Sequence, residues 1–274
     1  MWSKNFVRSE HSSAIICRIA YTKAGKTMQI IRYFMLILVL GCPELAAVEG
    51  PVRPKLVLGI NDLPAYQELH QNLYKVVNRY SDTYEFELQF FPNKRTFIAA
   101  NDGLVDGAAV KPEPVNKVEF KNLIRISTPL YLAHAIVAIA HDAPDIQDPK
   151  DLKDKKVAMI NGAIHAMDLV PPEKRIFINS HISGLLMVAH GRIPAMLTLD
   201  IPYYLAVSES ADIAKKTRLA SYTRQVPFYM YLHKKHRSKL PALEALLKRI
   251  AASGEAQKVY DTVVQDLKNK GPKN

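Results

Sequence analysis

Tyr84, Phe86, Leu88 and Phe90 alternate with Glu85, Glu87 and Gln89. A period of two puts the apolar set on one face of the backbone, so this stretch is predicted to be a half-buried strand. Before it, Leu69, Leu73, Val76, Val77 and Tyr80 recur at helical spacing, which predicts an amphipathic helix. Earlier still, KLVLGI (Lys55 to Ile60) is a short apolar run held between Pro54 and the turn-forming Asn61-Asp62, the pattern of a buried strand. A short helix over 94–101 ends near Gly103, and LVDGAAV (104–110) reads as a further strand. The order β-α-β-α-β predicts a mainly parallel sheet with helices on its faces.

The pattern then repeats with new parts. His134 to Ala140 is an apolar strand, DPKDLKD one capped helical turn, KKVAMI and RIFIN two more strands, and HISGLLMVAHG a helix closed by Gly191. Pro194 to Leu199 reads as a strand, IPYYLAVS as a helix and VPFYMYLH as a last strand. Two amphipathic helices follow, separated by Gly254: Leu243, Leu246, Leu247 and Ile250 share one face, and Val259, Tyr260, Val263, Val264 and Leu267 another. There is no exact internal repeat, but the βα units show a rough doubling.

The most apolar run, FMLILVLGCPELAA (Phe34 to Ala47), does not alternate faces. Met28 and Arg32 precede it and small residues follow it. A basic start, roughly 7–15 apolar residues and a small-residue cut site make a secretory signal peptide. A membrane span needs about 20 apolar residues, so the run is too short for one. The functional protein is expected to start at Met28, leaving 1–27 as an over-long start or extension. Cleavage after Ala47 leaves Val48 as the new terminus. Val39-Leu40-Gly41-Cys42 offers a second reading, a lipid-anchored Cys42; Pro43 and the large Leu40 favour a soluble periplasmic product instead.

Composition changes this picture in two ways. Cys17 and Cys42 are the only cysteines, and both precede the cut, so the mature chain has no thiol for disulfide, catalysis or zinc. The chain carries 37 basic and 26 acidic residues; removing the six basic and two acidic residues of 1–47 leaves 31 and 24, a net +7. Such a balance suits acidic ligands or solubility. Basic clusters such as Lys234-Lys235-His236-Arg237 are short and lack an aromatic stacking platform, which argues against nucleic acid. The histidines have no zinc-ligand spacing, and no cofactor motif is present. His233 and His236 are expected to be exposed, and Asp106, within Val-Asp-Gly, to serve the backbone.

Four segments resemble family 3 periplasmic solute-binding proteins, the amino-acid-type substrate-binding proteins of ABC transporters. DPKDLKDKKVAMINGA resembles the segment that opens the second lobe, GLVDGAAVKPEP the Gly-x-x-Asp strand of the first, NLIRISTPLY the strand ending in Pro-Tyr before the chain changes lobe, and GRIPAMLTLD the Gly-Arg-Ile strand late in the second. The resemblance spans about 53–270 in the expected order. It implies an α/β fold of two lobes, type II-like, in which two mainly parallel sheets are joined by two crossing strands, near Tyr131–Ile136 and Pro227–Tyr231. Lobe 1 is then 51–131 plus 228–274, and lobe 2 is 132–227. Ligands of open α/β sheets sit outside the carboxyl ends of strands, so post-strand loops supply the candidate ligand-binding residues. After the first strand these are Asn61, Asp62 and Tyr66; after the second, Phe91 and Arg95; at the third, Lys111; at the crossing, Tyr131. In lobe 2 they are Asn161 and His165, then Asp200 and Tyr203. Lys111 or Arg95 would hold an anion, Asp200 an ammonium, and Tyr66 or Phe91 an apolar ligand part. Against these stand plainer roles: Lys111 as a solvated strand-end lysine, and Asp200 as a helix cap before Pro202.

Two departures from the family matter. Its amino-acid binders place an arginine for the α-carboxylate where this chain has Pro114, within KPEPVNK. They place an aspartate for the α-ammonium where this chain has Leu199, with Asp200 one residue later. A one-residue shift turns a side chain to the other face. The resemblance therefore implies a monomeric, non-enzymatic periplasmic protein that captures a small polar or anionic solute, possible partners being an inner-membrane ABC permease or a sensor. Two other readings stay open: a binding-protein fold whose cleft serves a protein partner, and a cyclohexadienyl-dehydratase-like enzyme. The latter needs a tuned general acid, and no acid-base pair stands out.

Overall fold

KLVLGI forms the strand β1 (Lys55–Asn61), with Leu56, Leu58 and Ile60 buried. In this computed structural model the described residues are 52–92, 95–112, 118–161 and 167–271. The signal segment, Pro114 and His165 lie outside them. Arg53–Asn274 forms one compact unit, which contains every element below.

The helix α1 (Pro64–Tyr80) buries Leu69, Leu73, Val76 and Val77, as their spacing predicts. It leads into β2 (Glu85–Phe91), which pairs in parallel with β1 from Lys55↔Glu85 to Asn61↔Phe91. The helix α2 (Arg95–Asn101) then returns the chain to β3 (Gly107–Pro112), parallel to β1 on its other edge. Asp106 does serve the backbone: its carboxylate accepts from Val57 N at 2.9 Å. It also bonds His236 Nε2 at 2.5 Å and Lys235 Nζ at 3.2 Å. His236, expected to be exposed, is thus partly buried by a specific partner.

A second trio is built in the same way. The strand β6 (Val157–Ile160) has β7 (Arg175–Ile178) and β8 (Ala195–Leu199) parallel on its two sides. The helix α3 (His181–Ala189) stands between β7 and β8, and α4 (Asp200–Glu209) and α5 (Ala211–Lys216) follow β8. Two long strands join the trios. In β5 (Tyr131–Ala140) and β9 (Thr217–His233), antiparallel pairing runs from Tyr131↔Phe228 to Ala140↔Thr217. The strand β9 also pairs with β3 and with β4 (Leu123–Arg125), and β5 pairs with β8. The result is one curled sheet, ordered β2-β1-β3-β9-β5-β8-β6-β7 with β4 beside β9.

Alternation along β5 divides its burial. Val137 and Ile139 pack in one cluster with Val157, Met159 and Leu197; Ile136 and Ala138 pack in another with Leu185, Val188 and Ile213. Successive side chains on a strand face opposite ways, so one strand contributes to two cores. The largest cluster lies between the first trio and α1, α6 (Leu240–Ser253) and α7 (Glu255–Asn269). Gly254, at φ 71°, both ends α6 and opens α7, a left-handed position that glycine occupies without a Cβ penalty.

Candidate functional site

The carboxyl ends of β1, β3, β6 and β8 enclose a cavity of about 210 Å³. Asn61 and Lys111 line it from the first trio, and Asn161 and Thr198 from the second. Tyr66 and His70 enter from α1, His181 from the start of α3, and Tyr131 and Phe228 from the two crossing strands. Both halves of the fold thus meet at one void, at the position expected for ligands of α/β sheets.

Lys111 is its most consequential group. The register between β3 and β9 shifts between Ala108, opposite Tyr231, and Lys111, opposite Tyr229. Such a bulge re-aims side chains on the strand that carries it. Lys111 is only 5% exposed. Its Nζ donates to Asn61 Oδ1 and lies 4.8 Å from the centre of the Phe97 ring. Burial pushes the lysine down to about 7, and among the described residues no carboxylate pairs with it. Asn61 Oδ1 also accepts from Thr96 Oγ1 at 2.7 Å, so its carboxamide is held from two sides.

The other polar groups are neutral. His70 stacks on Tyr66, one helical turn away, with ring centroids 5.6 Å apart. Burial, aided by the charge of Lys111, pushes His70 down to about 3. Burial holds His181 at about 4, and its Nδ1 shares a 3.0 Å hydrogen bond with Thr198 Oγ1. Tyr131 is stacked between Phe228 and Tyr260, at 5.0 and 4.8 Å. Burial raises its phenol well above the usual range, so it stays protonated. One polar atom in each of two of these groups has no hydrogen bond although it is buried: Tyr131 Oη and His70 Nδ1. An unpaired buried polar atom costs about 1–3 kcal/mol, and such atoms require a reason.

Five of the candidates named from sequence therefore meet at this cavity: Asn61, Tyr66, Lys111, Tyr131 and Asn161. Five do not line it. Asp62 is exposed and accepts from Gln67 at 2.6 Å; Phe91 packs in a small cluster near Val105 and Tyr231; Arg95 is exposed at the start of α2. Tyr203 is buried in the core of the second trio, its hydroxyl 3.5 Å from Thr217. Asp200 neither lines the cavity nor caps α4. Its Oδ1 accepts from its neighbour's Ile201 N and from the Tyr260 hydroxyl, and its Oδ2 lies 3.5 Å from His134. Asp200, His134 and Tyr260 line a separate groove of about 500 Å³ against α7. Burial raises the Asp200 carboxyl despite those partners. Leu199, the residue before it, does line the cavity.

Sequence reasoning missed His70, Phe97, His181, Thr198 and Phe228. The first three stand on helices, and a helix face names its partner only after docking. Thr198 and Phe228 sit inside strands whose other face is core, where periodicity reports burial alone. Among the described residues, no helix is long and apolar enough to cross a membrane, and no group of three or more acidic, His or Cys side chains could hold a metal.

No protein-family model matches the chain, and no curated protein matches it by sequence. Solved structures do. A histidine kinase sensor domain with similarity to periplasmic binding proteins matches with TM-score 0.60 and 14% identity, over 77% of this chain and 96% of that one. The periplasmic VFT2 domain of Bordetella pertussis BvgS matches with TM-score 0.58 and 14% identity, over 78% and 94%. The amino acid ABC transporter substrate-binding protein AbpA of Streptococcus pneumoniae, bound to L-arginine, matches with TM-score 0.57 and 18% identity, over 80% and 97%. The fold is that of the two-lobed periplasmic binding proteins.

Proposed function

We propose that this protein is a periplasmic solute-binding protein that captures a small polar or anionic solute between its lobes and delivers it to a membrane partner. In this reading the segment 28–47 directs export. Residues 51–131 with 228–274 form one jaw and 132–227 the other, hinged at β5 and β9, and the protein acts as a monomer without catalysis. The observation that carries the reading is the cavity shared by both trios, with the Lys111 amine buried in its wall and, among the described residues, no carboxylate paired with it. Keeping a charge there opposes folding, and a bound anion gives it a purpose. Closure of two jaws over a ligand excludes water and strengthens each polar contact.

The test is a thermal-shift screen of the purified protein with amino acids, small carboxylates and amines. A ligand raises the melting temperature progressively with its concentration, by mass action, and is recovered unchanged afterwards. Consumption of the additive would favour the dehydratase reading, and a screen in which nothing shifts the transition refutes capture of such solutes. The likeness to a histidine kinase sensor domain supports sensing as the second reading of delivery. Co-purification of the liganded protein with a permease supports import, and with a kinase supports sensing.

A further inference from the structure

We propose that the cleft selects small organic monocarboxylates with an apolar body and no ammonium group, in preference to amino acids: the carboxylate pairs with Lys111, and further ligand oxygens satisfy Tyr131 Oη and His70 Nδ1. This rests on the reading of the cavity as a solute site.

The charges come first. Lys111 carries three donors, one of which is engaged by Asn61. Two are left for a carboxylate. His70 and His181 are neutral at neutral pH, so among the described lining residues the one formal charge is that of Lys111, about half protonated near pH 7 when empty and held charged by a paired anion. A single negative charge on the ligand balances it. A dianion such as phosphate leaves a net charge in a nearly dry site, which is costly.

An ammonium meets no anionic partner: among the described residues the cavity offers it only neutral acceptors such as Asn161 and Thr198. It needs acceptors and is repelled by Lys111. No carboxylate lines the cavity among the described residues. Asn61 Oδ1 already accepts from both Lys111 and Thr96. The nearest acid in sequence to the second trio's strand end, Asp200, is spent on Tyr260, Ile201 and His134 in the other groove. Leu199 presents an apolar side chain in its stead.

Two further observations point to ligand oxygens. Tyr131 and His70 are 3% and 5% exposed, line the cavity and have unpartnered polar atoms. Tyr131 can donate; neutral His70 can donate or accept at Nδ1 according to its tautomer. A carbonyl or hydroxyl beside the carboxylate meets that requirement. The rest of the wall is mixed: Leu63, Phe97, Ile160, Leu197 and Phe228 are apolar, and Asn161, His181 and Thr198 add neutral polar groups. A volume of about 210 Å³ is below the ~300–1,000 Å³ of drug-sized sites, so the body is small, of the size of a branched or aromatic side chain.

The experiment compares probes that differ at the ammonium carbon. Calorimetric titration pairs 4-methyl-2-oxopentanoate with leucine and phenylpyruvate with phenylalanine, against the protein and its Lys111→Met and Tyr131→Phe variants. Tyr131→Phe removes a hydroxyl without a partner in the protein, so its fold is preserved. The oxo acids are expected to bind more than tenfold more tightly than their amino acids, as a charge-assisted contact without repulsion implies. Lys111→Met should abolish measurable binding, and Tyr131→Phe should weaken it by roughly tenfold. Amino acids binding as tightly as oxo acids, or an amine or sugar binding while neither pair does, would overturn the ligand class and leave solute capture standing. If no solute of any class binds, both fall together.

Discussion

Replacing Lys111 with methionine should make the ligand-free protein more stable, and more so at pH 6 than at pH 10. Lys111 is 5% exposed, and burial brings it from 10.5 down to about 7. Each pKa unit is worth about 1.36 kcal/mol, so the drop of about 3.5 corresponds to ~5 kcal/mol of cost for the charged form. Below pH 7 the lysine is protonated in both folded and unfolded chains, and the full cost is present. Between about 7 and 10.5 the unfolded chain holds the proton while the folded one has released it, so stability rises with pH, at up to about 1.4 kcal/mol per pH unit. The ionisable groups lining the cavity with it do not titrate in that window: His70 and His181 lie at about 3 and 4, and burial raises the Tyr66 and Tyr131 phenols above their ordinary value. Methionine keeps a similar volume and discards the charge, but loses the hydrogen bond to Asn61 and the contact with Phe97. Allowing about half the cost for those losses leaves a gain of ~2 kcal/mol at pH 6, or roughly 5 °C in Tm for a domain of this size. Urea unfolding of both proteins at pH 6, 8 and 10 measures it. Parallel pH profiles, or a variant less stable than the parent at pH 6, would refute the argument that the charge is held against the fold for the sake of a ligand.

Other outcomes follow from neighbouring features. His70 and His181 are neutral when folded and gain a proton on unfolding below 6.5, so stability is greatest above pH 6.5 and falls as pH drops toward 4; His181→Asn should flatten part of that decline in urea titrations. Gly107→Ala should abolish folding, seen as loss of the cooperative thermal transition, because the new Cβ would lie 2.1 Å from the Tyr231 carbonyl oxygen and 3.0 Å from Leu232 Cα, both backbone. Tyr260→Phe removes a hydroxyl that bonds the buried Asp200 carboxylate and should lower stability by about 1.5–3 kcal/mol; an unchanged urea midpoint would show that bond to be inconsequential. Leu58→Ala, at a fully buried position of β1, should cost about 2–5 kcal/mol in the same assay.

Much of the architecture is legible in the residues themselves. The elements α1 and β2 announce their periods because each has one face on a core, and β1 shows as an apolar run because both its faces are covered, Leu56, Leu58 and Ile60 by one cluster and Val57 by another. Gly254 marks the break between α6 and α7 because only its left-handed backbone permits that corner. The short α5 and β4, and the first half of β9, gave no such signal. In β9 the stretch Arg218 to Gln225 is mostly part-exposed, so its pairing with β5 is written in backbone hydrogen bonds rather than in apolar alternation.

The site divides along the same line. Asn61, Lys111 and Asn161 were reachable because strand ends in α/β sheets point to ligands, a consequence of chain order alone. That Lys111 is buried was not, since it follows from a bulge between β3 and a strand more than a hundred residues away. Nor was the direction of Asp200, which is settled by the Tyr260 hydroxyl on a helix 60 residues later. His70, His181 and Phe97 joined the cavity only when their helices docked. Local periodicity records which residues avoid water; which buried polar groups face one another depends on contacts between distant segments, and only the packed chain decides those.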